Sequence, residues 1–211
     1  MKMVKSLSIL YTTRTSSVHV GMGLNLAMEC SVQGAIPNGQ HFAKNQTMSD
    51  ITDTETPTIP AVPVRVLAVA SSGGHWQELL RLRPALEGCE QHFAGIDPGW
   101  ELSVTPHPFY MVPDTHFDEP LKTIITFFCL LRLFRKIRPH VVLSTGAGPG
   151  GLAMLLGRIF RARTLWVDSA ANCNALSLSG RMSFLFAHKV LTQSPHLAKP
   201  DGPYYRGSLL P

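Results

Sequence analysis

Residues Val64–Leu86, VRVLAVASSGGHWQELLRLRPAL, combine a strand pattern, a glycine-rich turn and a helix pattern. The stretch begins with an apolar run rich in β-branched residues, which predicts a buried strand, and continues into apolar residues at helical spacing, which predict an amphipathic helix. Between them lies the turn Ser71-Ser72-Gly73-Gly74-His75. A strand, a glycine turn and a helix in succession are typical of the repeating unit of α/β proteins.

The remainder of the chain repeats this alternation. Further strands are predicted at QHFAGI (91–96), HPFYMVP (107–113), HVVLS (140–144), TLWVDS (164–169) and KVLTQS (189–194). Further helices are predicted at EPLKTIITFFCLLRLFRKIR (119–138), GGLAMLLGRIF (150–160) and SGRMSFLFAH (179–188). This order predicts a Rossmann-like, doubly wound parallel sheet in one domain over residues 61–211. Ligands of such sheets bind outside the carboxyl ends of the strands, where the strand order reverses.

Residues 1–60 have a different character. Short apolar runs alternate with polar stretches there, and Pro57, Pro60 and Pro63 discourage regular structure at the end of the segment. The apolar run after the first lysines is too short for a secretory signal. We therefore predict a disordered leader over residues 1–60. Met48 is an alternative start codon, and if translation begins there, the first 47 residues are not part of the protein.

The formal net charge of +5 belongs to the predicted domain, since residues 1–60 hold four basic and four acidic side chains and residues 61–211 hold 15 and 10. Much of the excess lies in two clusters: Arg132, Arg135, Lys136 and Arg138, then Arg158, Arg161 and Arg163. Such clusters favour an anionic partner, although solvated helix ends explain them equally well. The four cysteines form no C-x-x-C pair, which predicts a reduced chain without a metal site.

Two glycine-rich loops follow predicted strands. One is the turn at 71–75 and the other is STGAGPGG at 144–151. Glycines let backbone amides approach an anion at a helix N-terminus, so the loops predict a phosphate or diphosphate site, the alternative being tight turns that need positive φ. The candidate contacts are Ser72, Gly73, Gly74, His75, Gly146, Gly148 and Gly150. Neither loop has a P-loop or dinucleotide pattern, which argues against ATP and NAD as cofactors.

Four segments carry a resemblance to a known family. SSGGHWQELLRL, STGAGPGG, WVDSAANCNALSLSG and the terminal QSPHL…YYRGS resemble the asparagine-linked glycosylation protein 14 family and PssD-like bacterial subunits. Those proteins are similar to the N-terminal half of GT-B glycosyltransferases such as MurG. The resemblance covers Val64–Pro211. It departs at Asp168-Ser169, where eukaryotic members usually have Glu-Ser followed by Arg, so we keep only Ser169 and Asn172 as candidate acceptor contacts.

The resemblance implies a function for the chain. We expect the acceptor-binding and membrane-recruiting subunit of a bipartite N-acetylglucosaminyl-type transferase, peripheral at the cytosolic face of a membrane and acting in polysaccharide, lipopolysaccharide or lipid-linked oligosaccharide synthesis. The acceptor would be a lipid-linked diphosphate. A separate C-terminal GT-B half would hold UDP-N-acetylglucosamine, so no cofactor and no nucleic acid are expected on this chain. The alternatives are a self-sufficient UDP-sugar-dependent transferase, an epimerase-like nucleotide-binding protein and a non-catalytic membrane anchor.

Two side chains are candidates for catalysis. His75, at the predicted helix start, could contact the acceptor diphosphate or act as general base on the acceptor hydroxyl, or it could simply cap the helix. Glu78 is a second candidate base, although an acid in a first helical turn also complements the helix dipole. The sequence does not choose between them.

The long predicted helix at 121–138 is a candidate membrane contact. It is too charged to span a bilayer but could lie in the interface, with Phe127 and Phe134 in the apolar layer and Arg132, Arg135 and Lys136 near anionic headgroups. The alternative is a core helix of the sheet with a solvated basic end.

Overall fold

The computed structural model describes residues 11–13, 16–18, 62–115 and 118–210. Within the predicted leader it places two short antiparallel strands, β1 (Tyr11–Thr13) and β2 (Ser16–Val18). The rest of the leader prediction lies outside the described residues.

A seven-stranded parallel sheet forms the body of the protein. Its strands are β3 (Arg65–Val69), β4 (Glu90–Gly95), β5 (Phe109–Met111), β6 (Val141–Ser144), β7 (Arg163–Val167), β8 (Lys189–Thr192) and β9 (Tyr204–Tyr205). They are arranged in the order β5-β4-β3-β6-β7-β8-β9, and every neighbouring pair is parallel. The predicted Rossmann-like, doubly wound fold is confirmed.

Five helices accompany the described part of the sheet: α1 (Gly74–Leu82), α2 (Glu101–Val104), α3 (Pro120–Ile137), α4 (Ala147–Ile159) and α5 (Leu178–Ser183). The predicted helix at 75–86 ends early because Pro84 cannot continue the α-helical ladder, and residues Arg83–Leu86 form a 3₁₀ turn instead. The helix predicted at 179–188 likewise ends at Ser183. Neither α2 nor β9 is predicted, since four and two residues are too few to show a period.

Alternation along the strands builds a core on both faces of the sheet. On β3, Leu67 and Val69 pack with Leu130 and Phe134 of α3, whereas Val66 and Ala68 belong to the cluster of Trp76, Leu79 and Phe93 on the opposite face. All of these side chains are fully or almost fully buried. The sheet is therefore covered on both faces, as expected for parallel strands.

The strand order reverses between β3 and β6. From β3 the chain adds β4 and β5 on one side, then returns to place β6 against β3 and continues outward on the other side. The loops after β3 and β6 consequently begin the crevice at which ligands bind in this class of sheet. Both predicted glycine-rich loops lie at this reversal.

Candidate functional site

The two glycine-rich loops are joined by a pair of hydrogen bonds. The Nδ1 of His75 lies 3.0 Å from the carbonyl oxygen of Thr145, and the Thr145 hydroxyl donates to the His75 carbonyl at 2.6 Å. Because a carbonyl can only accept, Nδ1 carries a proton in this contact, and Nε2 of the neutral ring is left as an acceptor. The structure thus fixes the orientation of the imidazole at the first turn of α1.

The turn before α1 is open. Ser72, Gly73 and Gly74 are exposed, and no side chain caps the helix N-terminus. Gly73 has φ of 61°, a conformation that favours glycine. Gly74 has no such requirement, and a Cβ added there would meet no atom within 4 Å. Neither backbone conformation nor packing therefore requires glycine at position 74. The absence of a side chain there leaves free space above the amides of α1.

Packing around the second loop explains why three of its positions are glycine. Gly146 has φ of 152°, and a Cβ there would overlap the His75 ring. A Cβ on Gly148 would overlap the carbonyl oxygen of Thr115, and one on Gly150 would overlap the Ser144 hydroxyl. Packing therefore requires glycine at positions 148 and 150 with or without a ligand, and the contact of their amides with an anion stays a prediction. Gly146 serves the site indirectly, by giving room to His75.

Glu78 is not exposed to the crevice. It is 3% exposed, and its Oε1 accepts hydrogen bonds from the Ser169 hydroxyl at 3.1 Å, the Ala170 amide at 2.9 Å and the Gln193 side chain at 3.1 Å. Its Oε2 is buried and has no partner in the described residues. The carboxylate ties the loops after β7 and β8 to α1. This arrangement gives Glu78 a positioning role, whereas its role as general base stays a prediction.

The loop after β7 holds the other predicted acceptor contacts. The hydroxyl of Ser169 is buried and donates to Glu78, whereas Asn172 is half-buried, and the contact of either with an acceptor stays a prediction. Asp168, for which we predict no direct role, accepts hydrogen bonds from the Ser177 hydroxyl at 2.5 Å and the Ser177 amide at 3.0 Å. Ser177 in turn caps α5 by accepting from the Gly180 amide. Asp168 therefore holds the LSLSG segment in place.

The membrane prediction named the wrong aromatic residues. Phe134 is fully buried, and Phe127 packs against the core on the same side of α3. The large exposed side chains of the first half of α3 are instead Leu121, Ile124, Ile125 and Phe128. The second half exposes the three predicted cations Arg132, Arg135 and Lys136. Apolar residues occupy both sides of this helix, so the sequence alone does not tell which side packs on the sheet.

These exposed residues form one stripe. At about 100° per residue, the positions 121, 124, 125, 128, 132, 135 and 136 fall within about 120° of each other around the axis. We call this set the α3 stripe; it is apolar in its first half and basic in its second. Among the described residues no helix is both long and apolar enough to cross a bilayer.

An apolar groove lies beside the second glycine loop. It has a volume of about 190 Å³ and is bounded by α3, α4 and α5, with Gly148, Leu152, Leu155, Met182 and Phe186 among its lining residues. On its α5 side Leu178 and Leu185 are largely exposed. The α5 region that bounds the groove thus carries exposed apolar side chains.

Three contributors to this region were not among the predicted site residues: Thr115, Thr145 and Gln193. Thr145 and Gln193 each come directly after a strand, which is the available sequence signal. Thr115 has no such signal, because its contact with Gly148 depends on tertiary packing. No group of three or more His, Cys, Asp or Glu side chains suited to a metal ion occurs within residues 62–115 and 118–210.

Sequence comparison supports the predicted resemblance. The chain is 36% identical over 67 residues to the UDP-N-acetylglucosamine transferase subunit ALG14 of Eremothecium gossypii, a match that covers 29% of this chain and 30% of that protein. The sequence matches no protein-family model.

Structural comparison confirms the fold. The chain superposes on MurG of Acinetobacter baumannii with a TM-score of 0.55 and 19% identity, covering 69% of this chain and 46% of that one. It also superposes on a UDP-N-acetylglucosamine 2-epimerase of Rickettsia bellii with a TM-score of 0.51 and 13% identity, covering 71% and 46%. The chain spans less than half of either solved protein. At these identities the likeness concerns the fold.

Proposed function

We propose that this chain is the acceptor-binding subunit of a two-chain glycosyltransferase and that it brings the enzyme to a membrane. The observation that carries the proposal is the open turn Ser72–Gly74, linked through His75 to the loop after β6 at the reversal of strand order. This is the place where a sheet of this class holds its ligand.

A diphosphate suits the turn. Neither α1 nor α4 has a side-chain N-cap, and both helices begin at the crevice. Unpaired amides and the positive end of the helix dipole bind phosphate oxygens at such positions. The space above Gly74 gives an anion access to the amides of α1 without a side chain in the way.

A lipid carrier on that diphosphate agrees with the surfaces nearby. The apolar groove shares Gly148 with the second glycine loop, and the α5 region that bounds it carries the exposed apolar side chains Leu178 and Leu185. The α3 stripe combines apolar residues with three cations, which is the composition of a helix that lies in the interface of an anionic bilayer. A chain bound in this way would meet its acceptor at the membrane surface, and we assign it to the cytosolic face.

His75 supplies the candidate chemistry. With Nδ1 held by Thr145, Nε2 can accept the proton of the acceptor hydroxyl as that oxygen attacks C1 of the donor sugar and the nucleotide diphosphate leaves. Glu78 contributes indirectly, by holding the loops after β7 and β8 against the helix that carries His75.

The donor and the partner are suggested by the relatives. The curated relative is named as a subunit of a UDP-N-acetylglucosamine transferase, which supports a UDP-N-acetylglucosamine donor and a second chain to bind it. We infer a C-terminal GT-B half as that partner and polysaccharide or lipid-linked oligosaccharide synthesis as the setting.

The test separates acceptor from donor binding. The purified chain is titrated with a short prenyl diphosphate and, separately, with UDP-N-acetylglucosamine, using wild type and Gly74→Val. We expect the prenyl diphosphate to bind, Gly74→Val to weaken it by roughly tenfold through steric exclusion from the helix amides, and UDP-N-acetylglucosamine to show no saturable binding.

Transfer is then measured with and without the partner chain. We expect turnover only when both are present. Tight UDP-N-acetylglucosamine binding and turnover by the single chain would contradict the proposal and favour a self-sufficient transferase. Full activity of His75→Ala in the complex, with no prenyl diphosphate bound by this chain, would favour a non-catalytic anchor.

A further inference from the structure

An arginine-lined cleft lies at the edge of the sheet opposite the glycine loops. It has a volume of about 590 Å³, and its lining includes Arg65, Arg135, Arg138, Arg161, Arg163 and His140. Arg65 begins β3 and Arg163 begins β7, so the cleft is at the amino ends of the strands. The five residues of β3, about 16 Å of extended chain, separate it from the turn at Gly73.

The charges of this cleft come from distant parts of the chain. Two strand starts, the end of α3 and the turn after α4 each contribute arginine, and the described lining contains no aspartate or glutamate. Glu90 is the neighbouring carboxylate, opposite Arg65 in the strand register, and its Oε1 accepts from His92. Five guanidinium groups around one concave surface produce a strongly positive potential.

Contacts with Arg138 and His140 hold the Arg65 side chain at the cleft. The Arg65 side chain donates through Nε to the Arg138 carbonyl at 3.1 Å, which holds the guanidinium at the cleft. The Arg65 backbone amide donates to Nδ1 of His140 at 3.1 Å. Nε2 of the same ring lies 3.2 Å from Nη2 of Arg65, so the imidazole also helps to hold the guanidinium at the cleft. Burial and the charge of Arg65 lower the pKa of His140, which favours the neutral ring.

We propose that this cleft binds a phosphate-ester anion with several charged oxygens, at a site separate from the crevice of the glycine loops. Arginine forks pair with phosphate oxygens through charge-assisted hydrogen bonds, and five such forks around one cleft suit an anion with several charged oxygens. A phospholipid headgroup and a soluble phosphate compound share this chemistry.

Two of the cleft arginines can be replaced by glycine without straining the backbone. Arg138 has φ of 50° and Arg161 has φ of 58°, both in the left-handed region. Glycine adopts this conformation without strain, so Arg138→Gly with Arg161→Gly removes two cleft charges and suits the backbone. Lys199→Gln with Arg206→Gln removes two exposed positive charges that do not line the cleft, and it is the matched control.

Inorganic pyrophosphate is the soluble probe. Reaction of the full chain with phenylglyoxal, read by mass spectrometry, reports each arginine separately. We expect pyrophosphate to protect Arg138 and Arg161 but not Arg206, both in wild type and in Gly74→Val, whose change is at the crevice. By calorimetry the glycine pair should weaken pyrophosphate binding at this site by roughly tenfold or more, and the control pair should not.

Vesicles of phosphatidylcholine with and without phosphatidylglycerol form the second arm. Loss of phosphatidylglycerol-dependent binding in the glycine pair, but not in the control pair, would identify a headgroup as the source; pyrophosphate binding with unchanged vesicle binding would identify a soluble phosphate. The proposal is overturned if Arg138 and Arg161 react equally with and without pyrophosphate and anionic vesicles. It is also overturned if both variant pairs lose binding equally, or if these arginines are protected by RNA alone.

Discussion

The imidazole of His75 donates through Nδ1 to the carbonyl of Thr145 at 3.0 Å, and the Thr145 hydroxyl donates back to the carbonyl of His75 at 2.6 Å. Seventy residues apart in sequence, the two loops are locked together at the reversal of strand order. This pair of hydrogen bonds has two consequences that can be tested separately. It stabilises the crevice through Nδ1, and it presents Nε2 as an acceptor.

Replacing His75 with asparagine separates these two roles. The side-chain amide of the asparagine reaches the position of Nδ1 and can keep the bond to Thr145, but it has no group at the position of Nε2. We expect the free energy of unfolding of His75→Asn to lie within about 1 kcal/mol of the wild-type value. The rate of sugar transfer by the two-chain enzyme should fall by roughly 10²-fold or more. His75→Ala should lose both stability and transfer. Transfer by His75→Asn close to wild type would leave the histidine with a capping role only.

The glycines of the two loops should respond differently to substitution. Gly74→Ala has open space and an ordinary φ, so we expect an unchanged melting temperature and weaker acceptor binding. Gly148→Ala forces a Cβ onto the Thr115 carbonyl, and we expect destabilisation of about 1–3 kcal/mol. Thermal unfolding and prenyl diphosphate titration of both variants check this. Equal stability of the two variants would show that the loop at Thr115 gives way easily.

The position of the site could be predicted from sequence, because β-branched runs followed by glycine turns mark the carboxyl ends of parallel strands. The packing and hydrogen bonds within it could not be predicted. Gly148 and Gly150 fit the phosphate pattern as well as Gly74 does, and only the positions of Thr115 and Ser144 reveal that packing requires them. Glu78 fits the pattern of a base, and only the packing of the loops after β7 and β8 shows that its Oε1 is already engaged.

Helix α3 shows the same limit. Its extent, Pro120–Ile137, differs from the prediction by one residue at each end, since a long apolar run followed by Arg138-Pro139 defines it well. The buried side could not be assigned from sequence because both Phe127 and Phe128 are apolar, and contact with the sheet alone distinguishes them.

Removing the carboxylate of Glu78 should reduce stability. In Glu78→Ala the Ser169 hydroxyl, the Ala170 amide and the Gln193 amide lose a shared acceptor inside the protein. We expect a loss of about 2–4 kcal/mol in the free energy of unfolding, measured with urea, with Glu78→Gln losing less because one oxygen remains. A Glu78→Gln variant with wild-type stability and no transfer would instead support the general-base hypothesis.

The α3 stripe can be tested by vesicle flotation. Ile125→Glu with Phe128→Glu should abolish binding to anionic vesicles, because two exposed apolar side chains are replaced by charges that the headgroups repel. Leu102→Glu is the control, since Leu102 is 85% exposed and lies on α2. Flotation of the double variant at the wild-type level, in a folded protein, would remove α3 from the membrane interface.

Two histidines at the amino ends of the strands should make stability depend on pH. Nδ1 of His140 accepts from the Arg65 amide, and Nδ1 of His188 accepts from the Thr164 amide at 3.2 Å. The pKa of each is lowered from 6.5, first by burial and then by arginine charges: Arg65 acts on His140, opposed by Glu90, and Arg163 and Arg158 act on His188.

The direction of the pH effect follows from these lowered pKa values. The unfolded chain takes up protons near pH 6.5, whereas the folded chain takes them up only at lower pH, so the unfolded state binds more protons between the two values. The free energy of unfolding should therefore be constant above about pH 7 and fall as the pH decreases through 6.5 toward the folded-state pKa. Urea unfolding between pH 7.5 and 5.5 measures this slope. In His140→Asn with His188→Asn, the asparagine oxygens can still accept from the strand amides, and the slope should become smaller; His107, whose pKa is also lowered by burial, still contributes. A slope unchanged in this double variant would assign the pH dependence to other groups.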